Sequence, residues 1–335
     1  GGQTMRKFRW GILGCGRHAR RIAAGIAEVD DAEVYAAASR TPGKAAQFCE
    51  EIRAGRAYDT YEALLADPNV DAVFITTTNQ LHCEDAILAL KSGKPVVCEK
   101  PLAVNAAQVE QMIRTARECG VFFMEAMWSR FFPAMQRTRE LVQQGVIGRV
   151  QMISANYGYR MTGHDLSDPS SRIFDPSRGG GSLLDVGVYP LYFSSMLAGG
   201  EPEQISGMMH PTPLGIDAHC AATVRFRSGV LASILSGIDG NSDTNAWVYG
   251  SEGYLRIPAF YKPDTLHIFR DGEPEETLRF PYAGNGYQFE LMHAQDCIRA
   301  GKLESDIMPL DESLRLCRTL DTLRRDWDLK YPFEQ

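Results

Sequence analysis

Apolar positions along the first third of the chain fall into short runs of strand length, separated by amphipathic stretches. Phe8 to Leu13, Glu33 to Ala38, Ala72 to Thr76, Val96 to Cys98 and Val121 to Met124 read as strands. Between them, Arg20 to Ala27, Tyr61 to Leu65, Cys83 to Lys91 and Asn105 to Cys119 have helical spacing, the last two stopped by Gly93 and Gly120. Runs of strand length that alternate with helices predict a doubly wound parallel sheet. One strand ends abruptly in Cys98-Glu99-Lys100-Pro101. Proline donates no ladder hydrogen bond, so the strand stops and Lys100 stands at its carboxyl end, where open α/β sheets place ligands.

The pattern changes after the helix expected from Phe131 to Gln144. Gly148 to Tyr159 alternates, then a polar loop runs from Thr162 to Arg178. Gly179-Gly180-Gly181 next opens a helix on which Asp185 and Tyr189, four apart, share a face. Strand-like runs recur at Gln204 to Met209, Ala218 to Arg227, Val230 to Ile238, Asn245 to Gly250, Gly253 to Ile257 and Thr265 to Arg270. Ser228-Gly229 is a hairpin turn. These strands predict an open, mainly antiparallel sheet with helices on one face. Two helices close the chain, from Gly286 to Ala300 and from Asp311 to Trp327.

Composition narrows the class. A chain of 335 residues is too long for one core of usual size, so two domains are expected. The net charge of −7 gives no attraction to nucleic acid or an anionic membrane, and no apolar stretch reaches the length of a span. The eight cysteines contain no Cys-x-x-Cys pair and read as free thiols in a reducing cytoplasm, with no metal site. Gly1 and Gly2 read as additions before a native start at Met5.

The first strand leads into Gly14-Cys15-Gly16-Arg17-His18-Ala19 and then a helix, the dinucleotide fingerprint in its required context. Gly14 serves the tight turn, Gly16 the approach of a pyrophosphate, and Ala19 the close packing of helix on strand. At the end of the second strand, an enzyme using NAD carries an acid for the ribose hydroxyls. Here stand Ser39 and Arg40, with Lys44 nearby. A carboxylate would repel a 2′-phosphate, whereas Arg40 can hold one in two-point fashion, so NADP is expected over NAD. Thr77 and Asn79 suit hydrogen bonds to ribose and nicotinamide, and equally suit a turn that caps the next helix.

The order Gly-x-Gly-x-x-Ala, Thr-x-Asn-x-x-His, Glu-Lys-Pro resembles the oxidoreductase family named after glucose–fructose oxidoreductase and inositol dehydrogenase (Gfo/Idh/MocA). Glu125-Ala126-Met127-Trp128-Ser129-Arg130 is similar to the branch containing dimeric dihydrodiol dehydrogenase and NADP-dependent D-xylose dehydrogenase. The resemblance covers nearly the whole chain. It implies a Rossmann domain over residues 1–126, and an α+β substrate-binding and dimerisation domain over 127–335. It implies cofactor contacts from His82, Glu99, Lys100, Trp128 and Arg130, besides Cys15, Arg17 and His18 of the glycine loop. Lys100, Asp185 and Tyr189 would form the catalytic group, with Tyr189 where most relatives carry histidine. Trp128, His164, Arg172 and Phe174 are candidate substrate contacts. Tyr287 and Glu290 match a family motif, either at the site or in packing. The implied activity is hydride transfer between a nicotinamide and a sugar or cyclic diol, in a homodimer or a larger assembly built on the second sheet. The reverse reaction on a keto-sugar is an alternative within the class. A non-catalytic NADP sensor and a hydrolase using tightly held NAD are alternatives outside it.

Overall fold

The structure is a computed structural model that describes residues 5–334. It forms two compact units, and Gly1 and Gly2 lie outside the described residues.

The first unit comprises the chain through residue 103, residues 107–128 and residues 282–313. Its elements are β1 (Phe8–Leu13), α1 (Arg17–Ala27), β2 (Ala32–Ala38), α2 (Lys44–Ile52), β3 (Arg56–Tyr58), α3 (Tyr61–Leu65), β4 (Ala72–Ile75), α4 (His82–Lys91), β5 (Val96–Glu99), α5 (Ala106–Cys119) and β6 (Phe123–Ala126). The strands form one parallel sheet in the order β3-β2-β1-β4-β5-β6. Strands β4, β5 and β6 are buried throughout, because a parallel sheet covered on both faces leaves no position for a polar side. From β1 the chain first winds outward to β2 and β3, then returns to the other side of β1 as β4. The loops at the carboxyl ends of β1 and β4 therefore part, and this switch point is where such sheets bind ligands. Strand β3 escapes a sequence reading because three residues, Arg56, Ala57 and Tyr58, carry too little alternation.

The second unit holds α6 (Pro133–Gln143), β7 (Val150–Gly158), α7 (Val188–Leu197), β8 (Pro202–Pro211), β9 (Asp217–Phe226), β10 (Leu231–Gly237), β11 (Ala246–Gly250), β12 (Gly253–Ile257), β13 (Thr265–Arg270) and β14 (Glu276–Arg279). Its eight strands run β14-β13-β12-β11-β7-β10-β9-β8, all antiparallel except the β7/β10 pair. Strand β9 alternates buried and exposed positions along most of its length, so one face of the sheet is core and the other is not. Helices α6 and α7 cover the inner face. The outer face carries Met208, Leu235 and Met152 exposed, and a row of rings in which Trp247 and Tyr249 stack at 6.2 Å and Tyr254 and Phe269 at 4.5 Å. Strand β14 went unread because its positions are almost all exposed and polar.

Two further helices complete the chain, α8 (Gln288–Arg299) and α9 (Leu310–Asp326), and the boundary between the units falls within α9. Residues 282–313 thus group with the first unit, whereas the sequence reading placed everything from residue 127 onward in the second. The reason is a set of contacts between positions far apart in the chain. Gln295 accepts a hydrogen bond from the Trp10 indole at 2.9 Å, and Arg299 pairs with Asp31 at 2.5 Å. All eight cysteines are free thiols. Among the described residues, no helix is long and apolar enough to cross a membrane.

Helix α1 meets the segment before α8 so closely that a Cβ at Gly25 would lie 2.7 Å from Tyr287 Cβ. Gly25→Ala gains about 1 kcal/mol of helix propensity, but it forces apart two backbones that cannot give way cheaply. Overpacking of this kind costs about 1–3 kcal/mol. We expect Gly25→Ala to lower the melting temperature by several degrees; an unchanged or higher value in a thermal scan would refute this packing.

Candidate functional site

The glycine loop opens onto the switch point. Gly14 has φ +95°, a conformation that suits glycine, and a Cβ there would press on Thr76 Oγ1 at 3.0 Å. A Cβ on Gly16 would meet no protein atom within 4 Å, so the space in front of this residue is open. Helix α1 starts at Arg17 with no side chain capping its first N–H groups and no acid in its first turn. Unsatisfied N–H groups at the start of an 11-residue helix, beside an open glycine, suit an anion such as a pyrophosphate. Ala19 is fully buried beneath the loop, as the fingerprint requires. Cys15 is buried, its thiol pushed up to about 11 by desolvation, so only its backbone is offered to a ligand.

The turn that carries Lys100 is held from two sides. His82 is buried with each ring nitrogen facing a carbonyl, Nδ1 at 2.8 Å from Pro101 O and Nε2 at 2.9 Å from Thr77 O. Burial pulls its pKa down, and the two carbonyls oppose that pull. Glu125 on β6 is also fully buried. It accepts hydrogen bonds from Leu102 N at 2.9 Å and Ser313 Oγ at 2.7 Å. Glu99 lies next to Lys100, and its carboxylate contacts His18 Nε2 at 2.5 Å. Burial works against ionisation of Glu99, but the charges of His18 and Lys100 outweigh it and hold the carboxyl below the usual range. His18 in turn meets the edge of the Tyr287 ring at 5.2 Å, and Tyr287 stacks on Trp128 at 3.9 Å. Tyr287 is therefore a packing hub. Glu290 is fully buried, and neither carboxyl oxygen has a hydrogen-bond partner. Burial, with Glu99 nearby, pushes its pKa well above the ordinary carboxyl range.

Arg40, at the end of β2, lies over the Tyr61 ring with its guanidinium carbon 4.2 Å from the centroid. Its Nη2 is 2.9 Å from Oδ1 of Asp85, whose side chain is fully buried. Oδ2 of Asp85 accepts the Thr77 hydroxyl at 2.8 Å. A single buried carboxylate thus ties the end of β4 to the end of β2. Burial raises the Asp85 pKa, and the Thr77 and Arg40 contacts oppose the rise.

In the second unit, the glycine turn is anchored by another buried carboxylate. Asp217 Oδ2 accepts Leu183 N at 2.6 Å and Ser182 Oγ at 2.9 Å, and desolvation pushes its pKa up to about 6. Gly181 has φ +110°, and a Cβ there would strike Asp217. Tyr331 donates its hydroxyl proton to Gly180 O at 2.6 Å, fixing the same turn from the carboxyl-terminal segment. Beyond this turn the backbone departs from the regular helix expected from spacing. Leu183–Gly187 forms a π-turn that passes into α7 at Val188. Such turns are over-represented at functional sites. Asp185 sits in it, nearly buried. Its Oδ2 accepts the Tyr159 hydroxyl at 2.6 Å, and its Oδ1 lies 3.5 Å from Arg172 Nη1. Desolvation and Asp185 together drive the Tyr159 pKa far up, so this phenol keeps its proton.

The expected residues divide accordingly. Gly14, Gly16, Arg17, His18, Arg40, Thr77, Glu99 and Lys100 cluster at the carboxyl ends of β1, β2, β4 and β5. Lys44 is exposed at the start of α2. Ser39 is buried and accepts Thr41 N, Asn79 is buried, and both ring nitrogens of His82 are turned to the protein's own carbonyls. Arg130 belongs to the second unit and is only 2% exposed, donating to Tyr192 O at 2.8 Å. Its guanidinium has a structural task. His164 and Phe174 line an open cleft of about 450 Å³ with Arg160, Met161, Leu166 and Asp239, whereas Arg172 turns to Asp185. The sequence reading missed Tyr159, Asp85 and Tyr61. Only Tyr159 had a signal, since it follows Tyr157 at the strand period of two.

Comparison with known proteins matches residues 8–127 to an oxidoreductase family with an NAD-binding Rossmann fold, and residues 135–256 to the GFO/IDH/MocA C-terminal domain. The chain is 36% identical to trans-1,2-dihydrobenzene-1,2-diol dehydrogenase of Mus musculus, over 97% of this chain and 98% of that protein. Its fold matches the aldose–aldose oxidoreductase of Caulobacter crescentus, crystallised with glycerol, with TM-score 0.86 and 27% identity over 96% of this chain and 98% of that one. A 3-ketoreductase from Actinomadura kijaniata, crystallised with NADP and TDP-benzene, matches with TM-score 0.81 and 27% identity over the same shares. With both domains matched and near full-length relatives above 30% identity, this chain belongs to the Gfo/Idh/MocA family of NAD(P)-dependent oxidoreductases.

Proposed function

We propose that this enzyme moves hydride between the nicotinamide of NADP and an alcohol or carbonyl carbon of a sugar or cyclic diol, in the manner of a trans-dihydrodiol or D-xylose dehydrogenase. The observation that carries the reading is the match to dihydrodiol dehydrogenases almost end to end; Lys100, Asp185 and Tyr189 are the residues proposed to handle the proton. The sugar-acting Caulobacter relative supports the same substrate class.

The residues present fit a dinucleotide. The open face at Gly16, the uncapped start of α1 and the cation at the end of β2 suit its pyrophosphate and 2′-phosphate. When bound, the nicotinamide supplies the hydride acceptor or donor. The chain's own task is the hydroxyl proton of the alcohol. Tyr189 or Lys100 is proposed to take it. Asp185 is oriented for this work by the Tyr159 hydroxyl and by Arg172. Tyr159 holds its own proton too tightly to act as the base. The enzyme is proposed to work in the cytoplasm, in keeping with eight free thiols. It is proposed to pair with a second copy through the outer face of the eight-stranded sheet, where exposed Met208 and Leu235 leave apolar surface uncovered.

Lys100→Ala and Tyr189→Phe should each lower kcat by roughly 10²-fold or more, the scale of general acid–base catalysis. Tyr159→Phe removes one charge-assisted hydrogen bond and should cost roughly 10-fold or more. Near-normal turnover in a folded variant removes that residue from the mechanism. Arg40→Asp should shift the ratio of kcat/KM for NADP over NAD toward NAD by at least about 10-fold. Because it also leaves Asp85 without its cation, the double variant Arg40→Asp/Asp85→Asn is the cleaner form; an unchanged cofactor ratio would sink the NADP assignment. Sedimentation at micromolar concentration should show a dimer or larger species that Leu235→Asp dissociates, and a monomeric wild type would end the pairing proposal.

A further inference from the structure

The network around Arg40 contains more than a 2′-phosphate site needs. A cation meant to recognise phosphate is best left with its charge unspent. Here the guanidinium is shared with a carboxylate that is itself out of water, at 2.9 Å. Removing a buried carboxylate's cation is costly, so Asp85 and Arg40 depend on each other when no ligand is present. Glu84 lies 3.8 Å from Nη1 but is largely exposed, and such a contact contributes little. Tyr61 supports the flat face of the guanidinium, and its own hydroxyl is pushed up to about 12 by burial and by Asp85.

We infer that Asp85 is a selectivity-determining residue that attenuates the hold of Arg40 on the 2′-phosphate of NADP, while Tyr61 supplies the orientation. This deepens the proposed NADP reading and rests on it. Two effects of Asp85 oppose each other. As an ion-pair partner it fixes the guanidinium, which favours binding. As a charge it partly neutralises the guanidinium and repels the incoming phosphate, which opposes binding. The tether to Asp85 is replaceable. An Asn side chain of the same shape can turn its carbonyl to Arg40 and its amide to Thr77, whose hydroxyl can accept as readily as it donates. The aromatic support is unaffected by that change. The negative charge has no substitute, and opposed charges in a half-exposed setting are worth about tenfold in affinity or more. The charge effect therefore wins. A consequence is that Asp85 keeps the oxidised and reduced cofactors exchangeable and keeps Arg40 positioned when the site is empty.

The test uses calorimetric titration of the full-length protein with 2′,5′-ADP and with 5′-AMP, which differ only in the 2′-phosphate and require no turnover. Asp85→Asn should tighten 2′,5′-ADP about tenfold and leave 5′-AMP within about twofold. Tyr61→Leu should loosen 2′,5′-ADP and again spare 5′-AMP, and Glu84→Gln should change neither by more than about twofold. Raising salt should shrink the Asp85→Asn gain, since it is a charge effect. If Asp85→Asn leaves 2′,5′-ADP affinity unchanged or weakens it, Asp85 is a brace like Tyr61 and the inference fails while the NADP reading stands. If the wild type itself binds 2′,5′-ADP no better than 5′-AMP, the NADP reading fails first. Should Asp85→Asn melt well below the wild type, Asp85→Glu serves instead. It keeps the charge, so 2′,5′-ADP affinity must not rise; a rise would overturn the inference.

Discussion

The first unit depends on the capture of two adjacent main-chain groups by buried side chains. The carbonyl of Pro101 faces the His82 ring, and the N–H of Leu102 donates to Glu125. Both side chains lie in the core, where a polar group without a partner costs several times what a hydrogen bond returns. Neither can release the turn without leaving a buried group unsatisfied. Lys100, the residue before Pro101, therefore stands at a defined place at the end of β5. Two of the motifs that mark the family, Thr-x-Asn-x-x-His and Glu-Ala-Met-Trp, are in this light supports for the third, Glu-Lys-Pro.

The same device recurs in the second unit. Asp217 collects Leu183 N and the Ser182 hydroxyl, and so fixes the start of the π-turn that presents Asp185. Asp185 is then held by Tyr159 from the end of the β7 segment and by Arg172 from the long loop. Buried carboxylates thus organise this protein at four points: Asp85, Glu125, Asp185 and Asp217. Each is matched to donors from neighbouring segments of the fold. Glu290 departs from the pattern. With no donor for either oxygen, its burial and the nearby charge of Glu99 both disfavour the ionised form and push its pKa up.

Function here is a matter of how these fixed charges are spent. Tyr159 gives a hydrogen bond to Asp185 and keeps its proton. Arg40 gives part of its charge to Asp85 and is steadied by Tyr61. In both places the side chain read as functional is accompanied by one that sets its orientation or its charge.

The amino-acid sequence by itself determined the alternation of strand and helix, the glycine loop, the stop at Pro101 and the position of Arg40. These are local. They follow from period, from the φ freedom of Gly14 and from the missing N–H of proline, all of which act within a few residues. The short strands β3 and β14 escaped because three or four polar or exposed positions carry no period. The placement of residues 282–313 escaped because it is decided by a close fit between Gly25 and Tyr287, more than 250 positions apart. The π-turn at Asp185 escaped because one extra backbone residue per turn leaves no mark on side-chain identity. The partners Asp85 and Tyr61 were invisible, and Tyr159 carried only its strand period, for the same reason that they matter. A buried carboxylate must find its donors wherever the fold brings them, and only the tertiary structure decides which segments those are.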